Sequence, residues 1–292
     1  MLQTLGVRHV SRMAEPGLGQ DARRLPLDET RLENVNTPSM SFDVSGDAYD
    51  RFMGRYSREL APMFADFGGI SSAGTVLDVG CGSGVLTEEL AGRLGAEQVA
   101  AADPSPLVEA CAARVPGADV RRGTAEALPW PDHSFDAALA QLVLHFLDDP
   151  VAGLVEMGRV VRPGGVVAAC TWNFSEMVLV RTFWQAARSV VPAAPSETLE
   201  VASLEKFAEL GVRAGLEDVE PAPLEVSSRY ESFDELWDSF QRGVGPAGDF
   251  CASLEPDQRD ALRDEYRRRI GDPQGSFTLG AEAWALRGRV PS

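Results

Sequence analysis

The spacing of apolar residues changes period several times along this chain, and each change marks an element. Val76-Leu77-Asp78-Val79 is an apolar run that stops at a glycine turn, Gly80-Cys81-Gly82-Ser83-Gly84. Val85, Leu86, Leu90 and Leu94 then recur at helical spacing, so the pattern predicts a buried parallel strand, a tight turn and a crossover helix. Residues 97–102 form a second apolar run, ending in Asp103. Ser105 can cap the next helix, Pro106 suits its first position, and Leu107, Val108, Cys111, Ala112 and Val115 give it an apolar stripe. A short third strand over 119–123 and a fourth over 135–142 follow. Asp149 and Pro150 open a helix carrying Leu154, Met157 and Val161, which Arg162-Pro163-Gly164-Gly165 ends before a fifth strand at 166–171. Strands alternating with helices predict an α/β chain built on a parallel sheet.

Beyond Trp172 the pattern turns mainly helical. A helix over 176–191 carries Met177, Val180, Phe183, Trp184 and Ala187, an aromatic stripe that suits a core and equally a lid over the carboxyl end of the sheet. Ser203 caps a helix with Leu204, Phe207 and Leu210, broken by Gly215. A sixth strand over 219–226 is weakened by Pro221 and Pro223. Ser232 opens an amphipathic helix that residues 243–246 break; residues 256–270 form a charged helix with Leu262 and Tyr266 inward, and 277–290 a last strand. Residues 1–45 are rich in charge, Gly and Pro and have no sustained period, which predicts a mobile arm and leaves Met40 as an alternative start. The segment before the first strand, 48–57, mixes Tyr49, Phe52 and Tyr56 with Arg51 and Arg55 and reads as an amphipathic helix packed on the sheet.

Composition narrows the function classes. The 292 residues carry a net charge of −17, with a sequence pI of about 4.6, so the surface repels phosphate backbones and nucleic acid is not the expected partner. Arg267-Arg268-Arg269 is embedded among acids and reads as a solvated helix face. Cys81, Cys111, Cys170 and Cys251 form no C-x-x-C pair, and with 3 scattered histidines there is no metal-ligand spacing. These are expected to be reduced thiols of a cytoplasmic protein, with no signal peptide, membrane span or metal.

The glycine turn carries the chemistry. Glycines there permit positive φ and let a ligand lie against the backbone, and the following helix points unpaired N–H groups at it. Dinucleotide sites use G-x-G-x-x-G, but Val85 and Leu86 stand where the third glycine of that pattern belongs. Asp78 before the turn would repel a pyrophosphate and suit a cationic amino group. Cys81 is either a reactive thiol or a small residue tolerated in the turn. Asp103, about 20 residues past the turn, has the spacing that places an acid at ribose hydroxyls. A nicotinamide-dependent oxidoreductase is the weaker alternative: Lys206 is the only lysine and no tyrosine stands four residues before it.

The acid-plus-glycines motif, with the elements downstream, resembles the class I S-adenosylmethionine-dependent methyltransferases, within them the type 11, ubiquinone/menaquinone-methyltransferase-like small-molecule group. The resemblance covers residues 48–172 by motif and the rest by element order. It implies a Rossmann-like seven-stranded, mostly parallel sheet with helices on both faces, a domain over 46–292, and helical cap insertions near 174–200 and 230–275. It implies methyl transfer from S-adenosylmethionine to a small-molecule acceptor by in-line displacement, giving S-adenosylhomocysteine; a fold that binds without catalysing is the other reading. Gly80, Cys81, Gly82 and Gly84 would admit the methionine portion, with Asp78 near its ammonium directly or through water. Asp103 and Pro104 would meet the ribose, Thr124, Ala125 and Glu126 the adenine, and Tyr56 or Arg55 the methionine carboxylate. Gln141 would line the end of the fourth strand, which in relatives borders the sulfonium and the incoming acceptor. His145 is either a general base for the acceptor or a packed residue.

Overall fold

The computed structural model describes residues 53–71, 74–195, 203–242 and 245–292. The expected arm, the alternative start at Met40 and Tyr49 lie outside the described residues. In chain order the elements are α1 (Arg55–Phe67), β1 (Val76–Val79), α2 (Val85–Leu94), β2 (Val99–Asp103), α3 (Leu107–Arg114), β3 (Asp119–Arg122), β4 (Phe135–Gln141), α4 (Pro150–Val160) and β5 (Val161–Trp172). They continue with α5 (Val178–Val190), α6 (Leu204–Arg213), β6 (Glu217–Tyr230), α7 (Phe233–Gln241), α8 (Gly245–Ser253), α9 (Pro256–Arg269) and β7 (Phe277–Arg289).

The seven strands lie in the order β3-β2-β1-β4-β5-β7-β6. β1 to β5 are mutually parallel, and β7 runs antiparallel between β5 and β6. β1 and β2 are buried along their whole length, as strands covered on both faces must be. The pleat divides the core. Val76, Val99, Ala137, Leu139, Cys170 and Trp172 pack with α1, α2, α5 and α7 on one face. Leu77, Val79, Ala138, Ala140, Val167 and Ala169 pack with α4 and α6 on the other.

Local sequence explains most boundaries. Asp149 caps α4 by accepting from Val151 N and Ala152 N, Ser203 caps α6, and Ser232 caps α7. Residues 97 and 98, expected in the second strand, belong instead to a 3-10 turn, Ala96–Gln98. Arg162-Pro163-Gly164-Gly165 does not precede β5 but bulges out of it: Val161 pairs Phe135 while Val166 pairs Ala137. Gly165 is required there, since a Cβ would lie 2.6 Å from Asp136 O. β6 is longer than its prolines suggest because it is the sheet's edge, where Pro221 and Pro223 cost no ladder bond on the open side. α8 was hidden by a sequence, GPAGDFCAS, with no helical period.

The aromatic stripe of α5 is core. Phe183 stacks on Phe240 at 4.4 Å between ring centroids, Trp184 lies edge-on to Phe183, and Tyr266 of α9 donates its hydroxyl to Leu179 O at 3.1 Å. No helix among the described residues is long and apolar enough to cross a membrane.

Candidate functional site

The carboxyl ends of β1, β2 and β3 converge on the glycine turn. Gly80, Gly82 and Gly84 have φ of 70°, 50° and 88°, the left-handed region that glycine occupies without strain. Gly80 N and Cys81 N both donate to Ala102 O, at 2.7 and 3.0 Å, which ties the turn to the end of β2. A Cβ on Gly80 would sit 2.4 Å from Val143 Cγ2 and one on Gly84 2.8 Å from Cys111 Sγ, so both glycines are demanded by packing. A Cβ on Gly82 would meet nothing within 4 Å, so Gly82 faces open space.

Asp103 braces this turn. Its Oδ2 accepts from Gly82 N at 2.8 Å, and its Oδ1 accepts from Ser105 N and Ser105 Oγ at 2.8 and 2.5 Å. Gly123 N donates to Asp103 O at 3.3 Å, which brings the loop after β3 alongside. Thr124 and Glu126 there are exposed, Ala125 is buried, and Ala127 N closes the turn on Thr124 O at 3.2 Å. Pro104 is exposed beside them, its carbonyl accepting from Arg122. Turn, acid and loop thus stand together at the ends of β1, β2 and β3.

Asp78 lies beneath the turn, 1% exposed, and accepts from Thr87 Oγ1 at 2.6 Å. Burial pushes its carboxyl up to about 7, against the opposing pull of the Thr87 hydroxyl. Thr87 escaped the sequence reading; the signal was a polar residue in the first turn of an otherwise apolar helix stripe. Cys81 is buried against Cys111, whose hydrogen bond, together with burial, holds the Cys81 thiol far above its ordinary range. That protonated thiol fits the small-residue reading rather than the nucleophile.

The β4 end forms a second group of residues. Leu142 has φ of 63°, an uncommon conformation for a bulky residue. The bend turns Val143 onto Gly80 while Gln141 stays on the α1 face of the sheet. Gln141 Nε2 donates to Ser57 O at 3.2 Å, and its buried Oε1 has no partner among the described residues. His145 sits in a 3-10 turn, Leu144–Phe146, with Nδ1 3.2 Å from Thr171 Oγ1. Its ring packs on Phe146 and near Phe174, and burial lowers its pKa to about 4.

Arg55 and Tyr56 are placed toward β6 and α7 rather than at the glycine turn. Arg55 Nη2 donates to Glu235 Oε1 at 2.6 Å, and its guanidinium lies 4.3 Å over the Tyr230 ring. Tyr56 is fully buried, with its hydroxyl 3.3 Å from that of Tyr230 and its ring edge-on to Trp172. Tyr230, Glu235 and Trp172 were missed by sequence reasoning, since these partners lie 174 to 180 positions from α1 for the first two.

Residues 77–169 match the family model of a methyltransferase domain. An uncharacterised methyltransferase of Mycobacterium bovis is 36% identical over 136 residues, 46% of this chain and 53% of that protein. A ubiquinone biosynthesis O-methyltransferase of Methylocella silvestris is 48% identical over 105 residues, 34% of this chain and 40% of that protein. The chain therefore spans about half the length of the curated relatives it matches. A solved structure from Anaeromyxobacter dehalogenans, described as a candidate type II methyltransferase, shares the fold at a TM-score of 0.54 and 23% identity, over 79% of this chain and 96% of that one. Residues 77–169 are thus similar to methyltransferase domains.

Proposed function

We propose that the protein transfers a methyl group from S-adenosylmethionine to a neutral small molecule, in the cytoplasm and without a nucleic-acid or membrane partner. The observation that carries this reading is the brace between Asp103 and Gly82. A carboxylate and a glycine with open space where its Cβ would be stand side by side at the ends of β1 and β2. Gly82 and Gly84 would receive the methionine portion against the backbone, Asp103 the ribose, and the 124–126 loop the adenine. Asp103 Oδ2 keeps a lone pair beyond the bond it accepts from Gly82 N, enough for a hydroxyl donor. Asp78, at the border of ionisation near neutral pH, would answer the ammonium charge.

When bound, the cofactor supplies a methyl group on a positively charged sulfur, a strong electrophile that needs little activation. The protein's contribution is alignment and exclusion of water. A base is needed only for an acceptor that arrives protonated. His145 is uncharged at neutral pH, yet an imidazole held near 4 is a weak base, so any proton it takes is soon released to water.

Calorimetric titration with S-adenosylhomocysteine and with NAD(H) tests the proposal. Micromolar binding of the first, at least tenfold weaker in Asp103→Ala (about 1.4 kcal/mol), is the expected result. Binding of NAD(H) instead, or no binding by a protein whose melting shows it folded, sinks the proposal. Thermal melting of the variant separates loss of a ligand contact from loss of the turn that Asp103 braces.

A further inference from the structure

Two buried polar atoms at the carboxyl edge of the sheet have no hydrogen-bond partner among the described residues: Gln141 Oε1, an acceptor, and Trp172 Nε1, a donor. Trp172 is 3% exposed, so its indole N–H is hidden from bulk water. Leaving such groups unpaired costs roughly 1–3 kcal/mol each, a cost that calls for a physical account and that a bound molecule would remove. Both residues end adjacent parallel strands. Gln141 pairs with Cys170, and Trp172 stands two residues beyond Cys170, so both side chains leave the same face of the sheet. The strand spacing and rise put their Cα atoms about 8 Å apart. A single hydroxyl does not bridge that span; a molecule one ring wide, with a polar function at each end, does.

The surroundings agree. Phe146, 39% exposed, and the partly buried Phe174 flank His145 at the rim, and Tyr56 lies edge-on to Trp172 at 6.3 Å. Aromatic neighbours of this kind favour a flat apolar body. Arg55, whose buried Nε is a third unpartnered atom, already has its charge met by Glu235 at 2.6 Å, so an anionic ligand would compete with that carboxylate.

We propose that Gln141 and Trp172 select the methyl acceptor. They select a neutral, ring-bodied molecule that donates a hydrogen bond from a hydroxyl or amine at one end, to Gln141 Oε1, and accepts one at a carbonyl or ether oxygen at the other, from Trp172 Nε1. The hydroxyl or amine end lies at the β4 terminus, where the reacting atom belongs. Gln141 is positioned for this by its own Nε2 bond to Ser57 O of α1, which fixes the amide so that Oε1 is the free atom. This inference rests on the methyltransferase reading.

Three probes isolate the two contacts: 4-hydroxyacetophenone, with donor and acceptor ends; 4-methoxyacetophenone, which lacks the donor; and 4-ethylphenol, which lacks the carbonyl. Their binding to protein saturated with S-adenosylhomocysteine is followed by calorimetry or ligand-observed NMR. The first is expected to bind at least tenfold tighter than either analogue. Trp172→Phe should bring it down to the level of 4-ethylphenol, and Gln141→Leu to the level of 4-methoxyacetophenone. In Trp172→Phe the S-adenosylhomocysteine Kd should stay within twofold of wild type, and thermal melting of both variants shows the fold intact. Equal binding of all three probes, no binding of any, or ratios unchanged in the variants overturns the selection by this pair. Failure of wild type to hold S-adenosylhomocysteine is a separate outcome; it brings down the methyltransferase reading, and this inference with it.

Discussion

Asp78 is a carboxylic acid placed where charge is expensive. Its folded pKa of about 7 stands against an ordinary value of 3.8. Between those two values the folded protein holds a proton that the unfolded chain has lost. The folded state binds more protons there, so this residue's contribution to stability falls as pH rises from about 4 to about 7. The accumulated penalty above that window is about 4 kcal/mol. Asp78→Asn removes it while keeping an oxygen for Thr87, and urea unfolding at pH 5 and pH 8 should show the variant gaining on wild type at the higher pH. Parallel pH slopes for the two proteins would mean that Asp78 is ionised in the folded state throughout. The same ionisation sets ligand affinity under the proposed function: wild type should bind S-adenosylhomocysteine about tenfold tighter at pH 8 than at pH 6, the ratio of ionised fractions for a group near 7. His145 gives a second residue-scale prediction. Its imidazole should titrate near pH 4 in an NMR series, identified by the signal lost in His145→Gln. Titration at 6–7 would place the ring in water rather than beneath Phe146 and Phe174.

At the scale of elements, the glycine turn separates what the fold needs from what the ligand needs. Gly80→Ala forces a Cβ to 2.4 Å from Val143 at φ of 70° and should destabilise by about 2–5 kcal/mol through backbone and overpacking costs together. Gly82→Ala meets no neighbour, so only the backbone cost of about 1–2 kcal/mol applies. Under the proposed function it should nonetheless abolish S-adenosylhomocysteine binding, because its Cβ would occupy the open space assigned to the ligand. Melting and titration of the two variants decide this; a Gly82→Ala protein that binds normally would move the ligand elsewhere. This turn was legible in the sequence because its acid, glycines and helix are contiguous, and Asp103 because strand and helix lengths fix its spacing. The seven-stranded, mostly parallel sheet came from the resemblance, and its strand order only from the structure, since local periodicity carries no information about which strands are neighbours. The bulge at Arg162-Pro163-Gly164-Gly165 was taken for a turn because a four-residue extrusion and a reversal use the same residues. The partners of Gln141, Tyr56 and Trp172 were not legible, because packing between remote segments leaves no local signature.

Those remote contacts act on the whole molecule, where α1 links the sheet to the helices after it. Gln141 reaches Ser57, Tyr56 reaches Tyr230, and Arg55 reaches Glu235, so one helix touches the ends of β4, β6 and α7. Arg55 uses Nη2 for Glu235 while its buried Nε has no partner among the described residues, and a structural and a ligand-clasping role make different demands on variants. With Arg55 and Glu235 side chains 25% and 38% exposed, the ion pair contributes about 1 kcal/mol or less, and the Tyr230 ring adds a similar amount beneath the guanidinium. If the pair is structural, Arg55→Ala and Glu235→Ala should each lower stability by about 1 kcal/mol, and the double variant should lose less than the sum of the two. S-adenosylhomocysteine affinity should then stay within twofold in all three. A tenfold loss in Arg55→Ala with a gain in Glu235→Ala would show the opposite: that Arg55 leaves α7 when the cofactor binds, and that α1 is released and recaptured in each catalytic cycle.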